Sequence, residues 1–359
     1  MTKARLIAFY LPQFHPIPEN DEWWGKGFTE WRNVTKARPF FKGHHQPKLP
    51  ADLGFYDLRL PEVRSQQAEL ARSHGIEGFC YWHYWFNGKM LLERPVNEII
   101  SSGEPDFPFC VALANEPWSR RWDGKPHFIL QDQTYGGDED DRRHFDWLLP
   151  ALTDPRAIKI DGKPVFIVYK AKSLPDCRRT TDLWRELAVK NGLAGLYLLS
   201  IETGGTFGWD PREGGFDAAV EFQPHWDRVI EFIKYKSILR HMANIVRHRS
   251  KDLWIVDYKA IWPHLVSSLK VDYPLYRGVC PQWDNTPRKG KKGVVFLNST
   301  PEEYGHWLRH TVDLIKNEPL EHRIIFINAW NEWAEGNYLE PDLRYGHAYL
   351  EATYEVVKE

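Results

Sequence analysis

Eight short runs of apolar, β-branched or aromatic residues recur along the 359-residue chain, with helix-like stretches between them. They span Arg5 to Gln13, Gly78 to Trp85, Phe107 to Asn115, Pro164 to Lys170, Gly195 to Glu202, Phe216 to Gln223, Tyr276 to Trp283 and Arg323 to Asn331. Such alternation is the pattern of βα units on a parallel sheet, and eight is the number that closes a barrel. An open doubly wound sheet competes, but its first strand normally runs into a glycine-rich turn. Here that turn reads Pro12-Gln13-Phe14-His15-Pro16. The expectation is an α/β chain forming a (β/α)8 TIM-type barrel, with residues 1–359 as a single domain.

Helices are expected at Pro61 to His74, Arg94 to Ser102, Asp138 to Thr153, Asp176 to Asn191, Val229 to Arg247, Leu253 to Lys270, Pro301 to Asn317 and Leu343 to Lys358. Several carry Pro in a first turn or Gly just past the end. The acidic run Asp138 to Asp141 suits a helix start, where negative charge meets the macrodipole. Residues 15–59, rich in Trp, Pro, Gly and His, read as a long loop of functional weight after the first strand. The basic run Arg288 to Lys292 reads as an exposed, solvated loop tip, with contact to an anionic group as the alternative.

Charge and hydropathy narrow the classes further. With 47 Lys and Arg against 49 Asp and Glu, the formal net charge is −2, so nothing suggests a nucleic-acid partner. Mean hydropathy is −0.54, and no stretch approaches the roughly 18 apolar residues of a membrane span. The N-terminus reads as a strand and not as a leader peptide. Cys80, Cys110, Cys177 and Cys280 are far apart in sequence, which fits a reducing, cytoplasmic setting without disulfides. The unusual quantity is aromatic: 17 Trp, 16 Tyr and 19 Phe make 14% of the chain. Indoles offer flat apolar faces for a core, an interface or a ring-shaped ligand.

In such barrels the reacting groups lie at the C-terminal strand ends. The candidates there are Tyr10, Gln13 and His15 after the first run, His83 and Trp85 on the second, and Asn115, Glu116 and Trp118 after the third. Glu202 follows the fifth, Glu221, Gln223 and His225 the sixth, Gln282 and Trp283 the seventh, and Trp330 and Asn331 the eighth. Carboxylates, amides, imidazoles and indoles together describe a carbohydrate site, because sugar hydroxyls want donors and acceptors while the ring face wants an indole. The sharpest feature is Asn331-Glu332-Trp333-Ala334-Glu335-Gly336, with two carboxylates three residues apart. Glycosyl transfer needs a carboxylic acid and a second carboxylate flanking one carbon, so the chain must turn at Trp333 for both to serve one cavity. The alternative is structural pairing with a neighbour such as Arg344. His44 and His45 are adjacent, with no metal-ligand spacing, and neither a nucleophile elbow nor a phosphate loop occurs. No metal or cofactor is expected.

Four stretches carry a resemblance. Ala8 to Val34 (AFYLPQFHPIPENDEWWGKGFTEWRNV), Gly78 to Phe86 (GFCYWHYWF), Ala114 to Trp118 (ANEPW) and Asn328 to Asp342 (NAWNEWAEGNYLEPD) resemble the WbsX-type domain. That domain is often labelled a glycosyltransferase of lipopolysaccharide or polysaccharide clusters and is similar to glycoside hydrolase family 99, the endo-α-mannosidases. The resemblance implies a barrel whose paired glutamates act in turn: Glu332 as base on a sugar 2-hydroxyl, which closes a 1,2-anhydro sugar, and Glu335 as acid and then base.

Three functions follow as alternatives. The leading one is an enzyme that hydrolyses or transfers an α-linked unit of a bacterial surface polysaccharide, with the sugar against Trp85, Trp118, Trp283 and Trp330. The others are a nucleotide-sugar-dependent glycosyltransferase, against which the barrel and the missing Asp-x-Asp motif count, and a non-catalytic carbohydrate-binding barrel. The last would show the paired carboxylates more than roughly 10 Å apart, or one of them buried in an arginine pair.

Overall fold

The computed structural model describes residues 2–120, 125–203, 206, 208–236, 253–266 and 271–358. Eight parallel strands form the barrel: β1 (Arg5–Tyr10), β2 (Gly78–Phe86), β3 (Phe109–Leu113), β4 (Lys163–Val168), β5 (Tyr197–Glu202), β6 (Ala218–Glu221), β7 (Leu275–Val279) and β8 (Ile324–Ile327). Each hydrogen-bonds the next in sequence order, and β1 pairs with both β2 and β8, which closes the ring. Each expected run coincides with one strand; most strands stop a few residues early where the chain leaves the ladder, while β2 extends one residue further and β4 and β7 begin one residue sooner.

The helices are α1 (Pro61–Ser73), α2 (Arg94–Ser102), α3 (Asp138–Thr153), α4 (Cys177–Lys190), α5 (Trp226–Lys236), α6 (Tyr258–Val266), α7 (Pro301–Ile315) and α8 (Ala348–Lys358). The Asp176 carboxylate caps α4 by accepting from the Arg179 amide, and Thr300 caps α7 in the same way from Glu303. Both satisfy otherwise orphaned N–H groups. One expectation changes. The stretch from Leu253 to Lys270 is not one helix: Trp254–Asp257 forms a parallel strand pair with Val294–Leu297 outside the barrel, and α6 begins only at Tyr258. Residues beyond Lys236 in the expected Val229 to Arg247 helix, and 267–270, lie outside the described residues.

The core has two layers, one inside the barrel and one between barrel and helices. Strand side chains alternate between them. Phe9, Phe79, Phe166 and Phe326 are fully buried on the strands, as expected of core residues. The long first loop is ordered by short helices at Pro18–Trp24 and Trp31–Thr35. Its far end is clasped to the β7 and β8 loops, with the Lys48 ammonium donating to Gln282 Oε1 at 2.5 Å and to the Gly336 carbonyl at 3.0 Å. No helix among the described residues is long and apolar enough to cross a membrane.

Candidate active site

All eight strands deliver residues to one cleft of about 530 Å³ at their C-terminal ends. Leu11 and Gln13 follow β1, Trp82 and Tyr84 sit on β2, and Glu116 and Trp118 follow β3. Tyr169 and Lys170 follow β4, Thr203 follows β5, and Phe222 and Trp226 follow β6. Arg288 and Lys289 come from the β7 loop, and Asn328, Glu332 and Glu335 follow β8. Trp24 from the first loop completes the wall. Trp118 meets Tyr84 edge-on at 5.1 Å and Trp23 at 5.9 Å, so the aromatic wall is braced and not made of lone side chains.

The carboxylate pair depends on a turn. Asn331–Glu332 pairs antiparallel with Asn337–Tyr338, and between them Trp333–Glu335 makes a single 3-10 turn closed by the Gly336 amide on the Trp333 carbonyl at 2.9 Å. Gly336 has φ +57°, and a β-carbon there would lie 2.8 Å from the Lys48 ammonium and 2.9 Å from Asp284. Only glycine fits that position without displacement. The Asp284 amide also donates to the Glu335 carbonyl at 2.7 Å. The turn thereby brings two side chains three residues apart to one side.

They meet at Arg288. Its Nη2 donates to Glu332 Oε2 at 2.9 Å, its Nη1 lies 2.9 Å from Glu335 Oε1, and its Nε donates to Glu30 Oε1 at 2.7 Å. Sharing one guanidinium keeps the nearest oxygens of Glu332 and Glu335 within about 8 Å of each other, below the upper limit of about 9.5 Å for glycosidic carboxylate pairs. Burial pushes the Glu332 carboxyl up to about 8, with Arg288 opposing and Glu335 and Glu30 adding to the rise. Burial likewise raises Glu30. Burial also works against the Arg288 charge, but the three glutamates more than restore it and hold the guanidinium firmly protonated. Glu335 keeps 24% side-chain exposure against 11% for Glu332.

Arg288 corrects the expectation that the Arg288 to Lys292 run is a solvated loop tip. Lys289, Lys291 and Lys292 are exposed as expected, whereas Arg288 turns inward with a 9% exposed side chain. Arg344 plays no part in holding the pair. Glu332 is buried in a pair with Arg288, the arrangement expected of a purely structural pairing and of a non-catalytic carbohydrate-binding barrel, yet both acids still line the cleft.

Of the expected ligands, Gln13, Glu116 and Trp118 line the cleft with Glu332 and Glu335. The others do not. On β2 the inward residues are Trp82 and Tyr84, so His83 and Trp85 face the helices: His83 stacks on Trp147 at 3.9 Å, and Trp85 Nε1 donates to Asp140 at 3.1 Å. Thr203 and Phe222 face the cleft, which turns Glu202 and Glu221 away from it. Glu202 accepts from Tyr273 at 2.7 Å, and Glu221, pushed up to about 7 by burial, lies 3.6 Å from Arg277. Tyr10 donates to Gln67 behind the barrel wall at 2.6 Å, and His15 lies buried against the Pro12 carbonyl. Gln223 accepts from the His225 amide at 3.0 Å, with both residues buried.

Asn115, Asn331 and Gln282 serve as braces. Asn115 bonds both the amide and the carbonyl of Lys170, at 2.8 and 2.9 Å. Asn331 does the same for Leu11, at 2.7 and 3.1 Å, and Gln282 holds Lys48. Trp330 is fully buried against Phe79 at 5.0 Å. Trp283 is buried beneath Trp226 at 5.2 Å, so Trp226 offers the exposed face in its place. Of the aromatic residues that line the cleft without having been expected there, Trp82, Tyr84, Tyr169 and Phe222 follow the two-residue alternation once one inward residue per strand is known, whereas Trp24 and Trp226 come from helices. No group of three or more potential metal-ligating acidic, imidazole or thiol side chains occurs among the described residues.

Closed parallel barrels with helices between the strands are the architecture of glycoside hydrolase-like proteins. One such protein superposes with a TM-score of 0.58 at 14% identity, covering 99% of this chain and 94% of its own. An endo-α-mannosidase of glycoside hydrolase family 99 from Bacteroides thetaiotaomicron superposes at 0.57 and 14% identity, covering 99% and 96%. At that identity the likeness is one of fold. In sequence, the profile of the family Glycosyltransferase WbsX matches residues 6–353, and the chain belongs to that family. It is 45% identical over 351 residues to the uncharacterized protein WxcX of Xanthomonas campestris pv. campestris, covering 98% of this chain and 49% of that protein. The chain thus spans about half the length of the curated relatives it matches.

Proposed function

We propose that the chain is a glycan-active enzyme that cleaves or transfers an α-linked glycosyl unit of a bacterial surface polysaccharide. The observation that carries this reading is the convergence of Glu332 and Glu335, from one turn, on one guanidinium in a cleft walled by indoles. The family and the barrel support a carbohydrate substrate, and aromatic walls suit sugar rings.

The chemistry we infer follows the resemblance to family 99. One carboxylate of the pair takes the proton of the sugar 2-hydroxyl, whose oxygen attacks the anomeric carbon. The bond to the leaving oxygen breaks, and the other carboxylic acid protonates that oxygen. Water or a glycan hydroxyl then opens the 1,2-anhydro ring at the anomeric carbon, giving its proton to the acid/base residue, while the first carboxyl returns a proton to O2. Two inversions leave the configuration retained. The roles of base for Glu332 and acid/base for Glu335 come from the resemblance, whereas burial, by raising Glu332, puts the resting proton on that carboxyl and favours the reverse order. The reactive form carries one proton on the pair, which titrates as a unit. With Glu332 pushed up to about 8 by burial, kcat/KM is expected to fall as pH rises through about 8, since it reports the free enzyme. A rate that climbs across that range would contradict the single-proton form.

A second reading, a nucleotide-sugar-dependent transferase, draws on the family's description and on Lys170 and Lys289 along the cleft, cations suited to a diphosphate. Screening the purified protein against defined surface polysaccharides, with NMR of the first-formed anomer, tests the leading reading. A retained anomer supports it. Turnover that requires a nucleotide diphosphate sugar would replace it with the second.

A further inference from the structure

Glu30 belongs to the first loop, yet its side chain is fully buried beside the cleft with Asn33 donating to one oxygen at 3.3 Å and Arg288 Nε to the other at 2.7 Å. An arginine side chain ends in a rigid planar fork. Holding Nε from one side therefore sets the plane, and the two terminal nitrogens are left aimed at Glu332 and Glu335. Three carboxylates then surround one guanidinium, so the cluster would carry a net charge of −2 if every acid were ionised. Salt bridges that merely stabilise a fold are matched in charge, because an unneutralised buried carboxylate is unfavourable.

We propose that Glu30 is a positioning residue: it anchors Arg288 so that one guanidinium serves both Glu332 and Glu335, and by competing for that charge it keeps a proton on the pair. The inference rests on the function proposed above only in calling the pair catalytic. The groups facing the cluster are Glu30 from the first loop, Tyr84 from β2, Tyr169 after β4, Arg288 from the β7 loop and Glu335 from the turn. Among them Arg288 is the cation in contact with the carboxylates, Lys170 and Lys289 line the same cleft, and Tyr84 and Tyr169 are both held neutral by burial. The raised Glu332 carboxyl fits this charge count.

The test reads protonation directly in the unliganded protein, by carboxyl ¹³C NMR of glutamate-labelled samples titrated from pH 4 to 10 (about 4 and about 10 being the outer ordinary ranges of carboxyl and phenol groups). Glu30→Gln keeps the shape and removes the charge. The titration of the pair should move down by about one unit or more, the size of one partly screened charge at this separation. The high-pH fall in kcat/KM should move with it. An unchanged titration in folded Glu30→Gln, with only a lower melting temperature, would make Glu30 a structural residue and overturn the proposal. Should Glu30→Gln fail to fold, Arg288→Lys keeps the charge but cannot offer three coplanar donors. The pair should then titrate higher than in the wild type, and an unchanged value would overturn the proposal equally. Because the titration needs no substrate, a failed glycan screen leaves this outcome readable on its own.

Discussion

Two buried carboxylate clusters are tied to the same short turn, and they are built on opposite principles. Glu332 and Glu335 face Arg288 and the cleft, sharing one cation with Glu30. Between them Trp333 turns the other way and donates its Nε1 to Glu340 at 2.6 Å. Glu340 also accepts from Gln67 Nε2 at 2.6 Å and from the Tyr56 hydroxyl at 2.8 Å. Those partners are all neutral, and burial pushes the carboxyl up to about 7. The Glu340 cluster is satisfied where it stands and ties the first loop and α1 to the turn. The Arg288 cluster has more negative groups than positive charge to match them, and it opens to a cavity. Buried polar networks that are fully paired specify a fold, while shifted carboxyls left facing a cleft mark a site of chemistry.

Substitutions can break this contrast, and the largest change in stability is expected at Glu340. Glu340→Gln puts an amide N–H₂ where a carboxyl oxygen now accepts, leaving a buried donor against donors. The loss should be about 2 kcal/mol, visible as a lower denaturant midpoint. Glu332→Gln should act in the opposite sense, with a pH signature. The folded carboxyl titrates well above the ordinary glutamate range, so the unfolded chain sheds its proton first and wild-type stability declines as pH rises from about 4.5 towards 8. Glu332→Gln lacks that decline. It should match the wild type near pH 4.5 and exceed it above pH 8, measured by urea unfolding at both values. The smallest effect is expected on the cleft wall. Trp118→Ala should raise KM by about tenfold, the size of one lost ring contact, with kcat changed less, if the indole serves as the proposed platform for a sugar ring.

Much of this architecture was legible in the sequence, and the part that was not has a definite cause. The eight strands stood out because each is a short apolar run bounded by turn residues. The turn between Glu332 and Glu335 was legible because Gly336 follows the pair at once. Which face of each strand points inward was not legible. Strands of a parallel barrel are buried on both sides and read as unbroken apolar runs; in Gly78–Phe86 every residue is buried. His83 and Trp85 therefore looked as eligible as Trp82 and Tyr84, though they are one residue out of phase with the cleft. Trp330 was misplaced for a different reason: it has the parity of Asn328, which lines the cleft, but β8 ends at Ile327 and strand alternation no longer sets its direction. Arg288 was hidden by company: four of the five residues from 288 to 292 are basic, and nothing in composition separates the one that turns inward from those that face solvent. Glu30 gave no signal either, as its partner lies 258 residues away.

What separates the two clusters is the chemistry proposed for the charged one and the hold on the fold assigned to the neutral one. The direct measurement is turnover and thermal melting of Glu332→Gln, Glu335→Gln and Glu340→Gln side by side on a glycan that the wild type turns over. The first two should lose kcat by about a thousandfold, within the range for a positioned acid or base, while melting no lower than the wild type. Glu340→Gln should melt lower and keep kcat within about tenfold, the scale of a modest loss of positioning. Full turnover in Glu335→Gln, or a greater loss of kcat in Glu340→Gln than in either member of the pair, would contradict that separation.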